Sequence, residues 1–193
     1  ARDEVFGRAD VIPMWVADMD FAVPEAVTEA IVRRAGHPIY GYTFRSDGYF
    51  RSVIDWVGRH SGGKVEKEWI DFAPGVVAGI VFALRAFTQE GDRVVIQPPV
   101  YHPFARQTRF NNRVVVNNPL LQRADGSFGI DFDDLDRKLA GAKVFLMSNP
   151  HNPSGRVYTA EELTRIGELC VKHDVVILSD EIHGDLVYKP HKH

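Results

Sequence analysis

The chain has 193 residues, 45% hydrophobic, 25% charged and 11% aromatic, with a formal net charge of −3. That length suits one domain, or one domain with part of another, and is enough to bury a core. The charge balance argues against nucleic acid or an anionic membrane as partner, and no apolar run reaches the length of a membrane span.

One cysteine, Cys170, excludes a disulfide framework within the chain and makes a cytoplasmic setting the default. It sits in a helical pattern and reads as a small buried apolar residue. The charged opening "ARDEVFGRAD" has no apolar signal core. The chain starts in mid-flow and stops at "YKPHKH", so both ends are expected to be cuts. The terminal His-x-His is either a shortened loop or a metal or tag remnant.

In chain order, "VIPMWVADMDF" (11–21) reads as an extended arm. "PEAVTEAIVRRAG" (24–36) is a helix, with Pro24 and Glu25 at its start, two arginines near its end and Gly36 closing it. A Gly- and Tyr-rich loop (37–50) runs into the helical pattern "YFRSVIDWVGRH". "KEWIDFAPG" reads as a short strand ending in Pro-Gly. "VVAGIVFALRAFT" (76–88) is an almost wholly apolar helix and should be buried. "DRVVIQPP" (92–99) is a short apolar strand stopped by prolines, and "YHPFARQTRFN" is helical beyond Pro103. "NRVVVNNPL" is a strand and "DFDDLDRKLAG" (131–141) a helix closed by Gly141. "AKVFLMSNP" is a strand, and "TAEELTRIGELCVKHD" is a helix with a capping box at Thr159 and Glu162. "VVILSDEIHGDLVY" is a strand running into a polar end.

Short continuous apolar strands alternating with helices predict a parallel sheet covered on both faces, an α/β fold. Ligands of such sheets bind at the carboxyl ends of the strands. Four of those ends carry unusual residues: Pro74-Gly75, Pro98-Pro99-Val100-Tyr101, Asn149-Pro150-His151-Asn152-Pro153 and Asp180-Glu181-Ile182-His183. Each alone is ordinary turn chemistry. Together they suggest a site. Gly75 lets backbone approach closely, and the free N–H groups of Val76 and Val77 at a helix start attract an anion. Asp180, after a buried strand, demands a cation or strong donor. Asn152 offers a donor and an acceptor in a loop stiffened by Pro150 and Pro153. Tyr101 offers a flat face. A phosphate, a cationic ring nitrogen, a ring hydroxyl and a planar ring would suit these groups, and that set describes pyridoxal 5′-phosphate.

The pieces "MWVADMDF", "IYGYT", "PGVV", "AFTQEGDRVVIQPPVYHPF", "NPHNPSGRV" and "SDEIHGDLVY" resemble, in order, the N-terminal half of a fold-type-I pyridoxal-phosphate enzyme. The resemblance is to the cystathionine β-lyase/C–S lyase group (MalY/PatB kind) of the class-I/II aminotransferase superfamily. It implies a three-layer αβα sandwich with a mostly parallel sheet, the truncated large domain of that fold. Residues 1–24 would be an arm and part of the small domain, and 25–193 the N-terminal portion of the large domain. It implies that Gly75, Val76 and Val77 cradle the cofactor phosphate, that Tyr101 stacks on the ring and that Asn152 bonds the ring O3′. Asp180 would pair with the ring nitrogen. His183 stands where many relatives carry a tyrosine near O3′, and a structural histidine is the alternative. Tyr42 would reach the neighbouring subunit's phosphate in a homodimer, unless it is plain core. Ala17, with Asn152, would lie near the substrate carboxylate.

The lysine that holds the cofactor in these enzymes follows the Asp-Glu segment by tens of residues. Lys189 and Lys192 are too close to Asp180 and lack its Ser-x-x-Lys context. The chain alone is therefore expected to be inactive and to carry no catalytic residue of its own. The whole protein would be a carbon–sulfur β-lyase acting on a small sulfur-containing amino acid such as cystathionine, or an aminotransferase on the same fold. Two further readings are a regulatory partner protein and a nucleotide-binding doubly wound domain. No surface marks the former, and the missing Gly-rich fingerprint opposes the latter.

Overall fold

The computed structural model describes residues 4, 6–8, 10–12, 19 and 21–193. The arm expected over 11–21 lies mostly outside the described residues, and Ala17 with it. By internal contacts the chain forms two compact units, Ala1–Ser46 and Asp47–His193. The helix after Pro24 falls in the first of these units.

In the first unit, α1 (Glu25–Ala35) begins after Pro24, whose carbonyl accepts from Val27 N at 2.9 Å. Glu25 in the first turn and Arg33 and Arg34 in the last oppose the helix dipole. No residue of α1 is buried. Beyond it, Arg34 donates to the carbonyls of His37 and Ile39 and lies 5.5 Å over the ring of Tyr40. The Tyr40 hydroxyl donates back to Ala35 O at 2.6 Å, so this turn is pinned to the helix end.

The second unit holds helices α2 (Asp47–Ser61), α3 (Val76–Phe87), α4 (Pro103–Phe110), α5 (Phe132–Leu139) and α6 (Ala160–Lys172). Its strands are β1 (Arg93–Ile96), β2 (Val114–Asn117), β3 (Leu121–Gln122), β4 (Phe128–Gly129), β5 (Ala142–Ser148) and β6 (Val176–Asp180). Four of them form a parallel sheet in the order β2-β1-β5-β6. The sheet is apolar on both faces, as crossover helices require. Val95, Phe145 and Met147 face α5 and α6 in a cluster with Leu135, Leu139, Ile166 and Cys170. Val94, Ile96, Val144 and Leu146 face the other way, against Ile80 and Leu84 of α3 and Phe104 of α4. Alternation along each strand divides one apolar run between two cores. A buried Leu or Phe of this kind contributes about 1.5–3 kcal/mol. The three-layer αβα arrangement expected from the sequence is present.

α6 carries the expected capping box: Thr159 Oγ1 accepts from Glu162 N, and Glu162 Oε2 accepts from Thr159 N. Cys170 is a free, buried thiol whose burial pushes its pKa up to about 11.

Two expectations need correction, and one element was missed. "KEWIDFAPG" is not a strand: Lys67–Trp69 is a 3-10 turn, and Ile70 has extended angles (φ −97°, ψ 119°) but no ladder partner among the described residues. Extended backbone becomes a strand only where a neighbour accepts its hydrogen bonds. The rim therefore has three strand ends and a helix start, not four strand ends. Nor is α3 buried all round. Ile80 and Leu84 are buried on the sheet, while Phe82 and Phe87 on other faces are 55% and 58% exposed. Last, the antiparallel pair β3–β4 went unread, because its two-residue strands show no period.

Candidate functional site

The carboxyl ends of β1, β5 and β6 lie side by side. Ser148 pairs in register with Asp180, and Val95 with Phe145. Two loops leave this rim, 97–102 after β1 and 149–156 after β5. They are joined directly, since Tyr101 N donates to Asn152 O at 2.9 Å. Asn149 N donates to Asp180 O at 3.0 Å, tying the β5 loop to the end of β6. Tyr101, Asn152 and Asp180 thus belong to one hydrogen-bonded rim.

The start of α3 comes to the same rim. Thr88, just beyond its end, accepts on both its hydroxyl and its carbonyl from Arg113, which precedes β2, so that end of α3 sits at the amino edge of the sheet. Twelve helical residues span about 18 Å, which carries the other end of α3 to the carboxyl edge. There Gly75 takes φ +109°, ψ 154°, and a Cβ on it would meet nothing within 4 Å. No side chain caps this helix, and the N–H groups of Val76 and Val77 have no acceptor among the described residues. The result is an open backbone cradle at the positive end of a helix, suited to an anion.

Asp180 is 7% exposed. Burial pushes its carboxyl above the usual range, opposed by one hydrogen bond from Ile182 N at 3.2 Å and by the nearby His183. No cationic side chain pairs with it among the described residues. A buried carboxylate with a single amide donor is incomplete unless a cation joins it. His183 is half-buried, and its ring bonds to no described residue. The Asn152 side-chain amide is half-buried and likewise makes no bond within the described residues, although its backbone N–H donates to Ser148 Oγ at 3.2 Å. The Tyr101 ring is half-buried, edge-on to Phe104 at 6.1 Å, with its hydroxyl unused.

Behind these groups stands a polar layer that sequence reading missed. Gln97, 2% exposed, donates to Asn118 Oδ1 at 2.9 Å and accepts from the Tyr158 hydroxyl at 2.7 Å. Asn149 Oδ1 accepts from Tyr158 N at 3.0 Å, so Asn149 shapes the loop. His151, 2% exposed, reaches Gln97 O at 3.2 Å and Ser154 Oγ at 2.8 Å. The signal that could have found this layer is Gln97, an amide closing a strictly apolar strand.

Two further sequence-predicted positions are Tyr42 and Ala17. Tyr42 belongs to the first unit, is fully exposed and bonds to no described residue. Ala17 lies outside the described residues. Among the described residues no cluster of His, Cys, Asp or Glu could hold a metal, and no helix is long and apolar enough to cross a membrane.

The donor set fits a planar, phosphorylated, cationic heterocycle: anion cradle, flat ring, free amide and an unpaired buried acid. Comparison with known proteins points the same way. The chain belongs to the aminotransferase class I and II family, whose model matches residues 9–193. It is 50% identical over 192 residues to the cystathionine beta-lyase PatB of Bacillus subtilis, covering 98% of this chain and 49% of that protein. It is 32% identical over 191 residues to the protein MalY of Escherichia coli, covering 97% and 49%. Among solved structures it resembles cystalysin from Treponema denticola, which contains a pyridoxal 5′-phosphate cofactor (TM-score 0.91, 34% identity, 96% of this chain and 48% of that one). It also resembles the pyridoxal-phosphate-bound C–S lyase from Staphylococcus hominis (TM-score 0.88, 36% identity, 93% and 46%). The chain spans about half the length of the curated relatives it matches.

Proposed function

We propose that the whole protein is a pyridoxal-phosphate-dependent carbon–sulfur β-lyase of the cystathionine β-lyase kind, and that this chain supplies one wall of its cofactor site. The observation that carries the reading is Asp180, a buried acid without a cation, on the rim that also presents Tyr101 and Asn152. When bound, the cofactor supplies an electron sink for negative charge developing on the substrate carbon. Val76 and Val77 N–H groups, released by Gly75, would hold its phosphate. Tyr101 would cover the ring face. The Asn152 amide would donate to the ring hydroxyl oxygen and help place the substrate carboxylate together with Ala17. Ionised Asp180 would keep a proton on the ring nitrogen, with His183 beside it adjusting that charge.

The substrate is a small sulfur-containing amino acid such as cystathionine. Addition of water across the overall reaction yields a thiol, pyruvate and ammonia. Tyr42, exposed on the first unit, would complete the phosphate site of a neighbouring subunit, so the working unit is a homodimer. Its setting is the cytoplasm. The division into an arm over 1–24 and a large domain from 25 onward is part of the same proposal. The relatives named lyases support this over amino-group transfer. The deciding experiment incubates full-length protein with cystathionine and measures pyruvate against keto-acid-dependent glutamate formation. Glutamate without pyruvate would move the protein to the aminotransferases, and neither product would remove the enzyme reading.

A further inference from the structure

His151 joins the two loops that carry Tyr101 and Asn152, and its chemistry is fixed by its neighbours. One ring nitrogen, Nε2, lies 3.2 Å from the carbonyl oxygen of Gln97. A carbonyl only accepts, so Nε2 carries the proton. Nδ1 then has a lone pair and accepts from Ser154 Oγ–H at 2.8 Å. Burial favours the neutral ring and pushes its pKa below the ordinary value, against the opposing hydrogen bond to Gln97 O and with a smaller push in the same direction from nearby Arg156. The imidazole is therefore neutral, in one tautomer, with both nitrogens used.

Its partner is equally fixed. Gln97 spends its side chain on Asn118 and Tyr158, so its backbone carbonyl cannot swing away from His151 without straining two buried bonds. On the other side, Ser154 lies in the same loop as Asn152, and His151 N donates to Arg156 O at 2.7 Å. The ring thus couples the rigid end of β1 to the loop after β5. The second coupling between those loops, Tyr101 N to Asn152 O, involves the two residues proposed to touch the cofactor.

We infer that His151 is a positioning residue that sets the Asn152 amide and the Tyr101 ring in mutual register by clamping the β5 loop to the Gln97 carbonyl. The inference rests on the proposed cofactor reading, and it assigns His151 no contact with the cofactor. Loss of the Nε2–H donor leaves the buried Gln97 carbonyl short of a partner and frees the loop to shift. A shift there misplaces two ligand groups at once.

The test uses full-length protein with His151→Phe, which keeps the ring and loses the donor, and His151→Gln, whose side-chain N–H reaches the place of Nε2. Cofactor affinity is read by fluorescence titration of the cofactor-free protein, and cofactor-free stability by thermal melting. The expected result is a loss of affinity of about tenfold in the Phe variant, recovered mostly in the Gln variant. Affinity unchanged in the Phe variant, with only a lower melting temperature, makes His151 a plain structural residue and overturns the inference. So does equal weakening in both variants. If the wild-type protein binds no pyridoxal phosphate, it is the functional reading that fails, and that result is distinct from either.

Discussion

Replacing Asp180 with Asn tests the site at its most loaded atom. The acid is 7% exposed, accepts one backbone hydrogen bond, and is held above the ordinary carboxylate range by burial. In cofactor-free protein its ionised form is therefore a cost. The sign follows from the raised folded-state pKa. Below the unfolded-state value the acid is protonated in both states and costs nothing. As pH rises through the folded-state value the native chain must ionise a desolvated group, and stability falls. Asn has the same shape, keeps an oxygen for the Ile182 N–H, and has no charge to desolvate. Its advantage at neutral pH should be about 1 kcal/mol, the lower end for an imperfectly compensated buried polar group. In the full-length protein, about twice this length by its relatives, that is roughly 1–2 °C in melting temperature. The advantage should vanish as pH falls below the carboxylate range. Adding pyridoxal phosphate should reverse the order, because only the carboxylate gains an ion pair with the ring nitrogen, and the Asn variant should bind about tenfold or more weakly. Melting curves of full-length protein across pH, with and without cofactor, measure all of this. An Asn variant less stable than wild type without cofactor, or equal to it in cofactor affinity, would refute the view of Asp180 as a charge waiting for a cation.

Gly75→Ala should lower cofactor-free stability by about 1–3 kcal/mol, since φ +109° with ψ 154° is nearly closed to residues with a Cβ, and should also weaken cofactor binding; urea midpoints and titration read the two effects. Thr159→Ala removes one half of the α6 capping box and should cost about 1 kcal/mol in urea unfolding, with cofactor affinity unchanged because α6 packs on the face away from α3. Tyr42→Phe should speed cofactor release from the proposed dimer without altering sedimentation, and unchanged release would remove Tyr42 from the site.

How far the sequence spoke depended on where each reason lay. The strands were legible from runs such as Val94–Ile96 and Val144–Met147, but which residue faced which helix layer was not, because both faces are apolar and alternation leaves no trace. Ile70 shows the opposite failure: its backbone is extended as read, yet a strand is a property of two segments, and one segment cannot announce its partner. The candidate site residues stood out in the sequence for a specific reason. A polar residue closing an apolar run has either a polar neighbour behind it or a ligand in front, and both Gln97 and Asp180 fit that description. Only the structure separates them. Gln97 has its amide donor and acceptor both spent, on residues 21 and 61 positions away, while Asp180 holds one amide bond from two residues on. The satisfied group belongs to the scaffold, and the unsatisfied one is where the proposed cofactor would meet the chain. The same accounting places His151, satisfied at both nitrogens, on the scaffold side of the boundary, and the free amide of Asn152, its immediate neighbour, on the other.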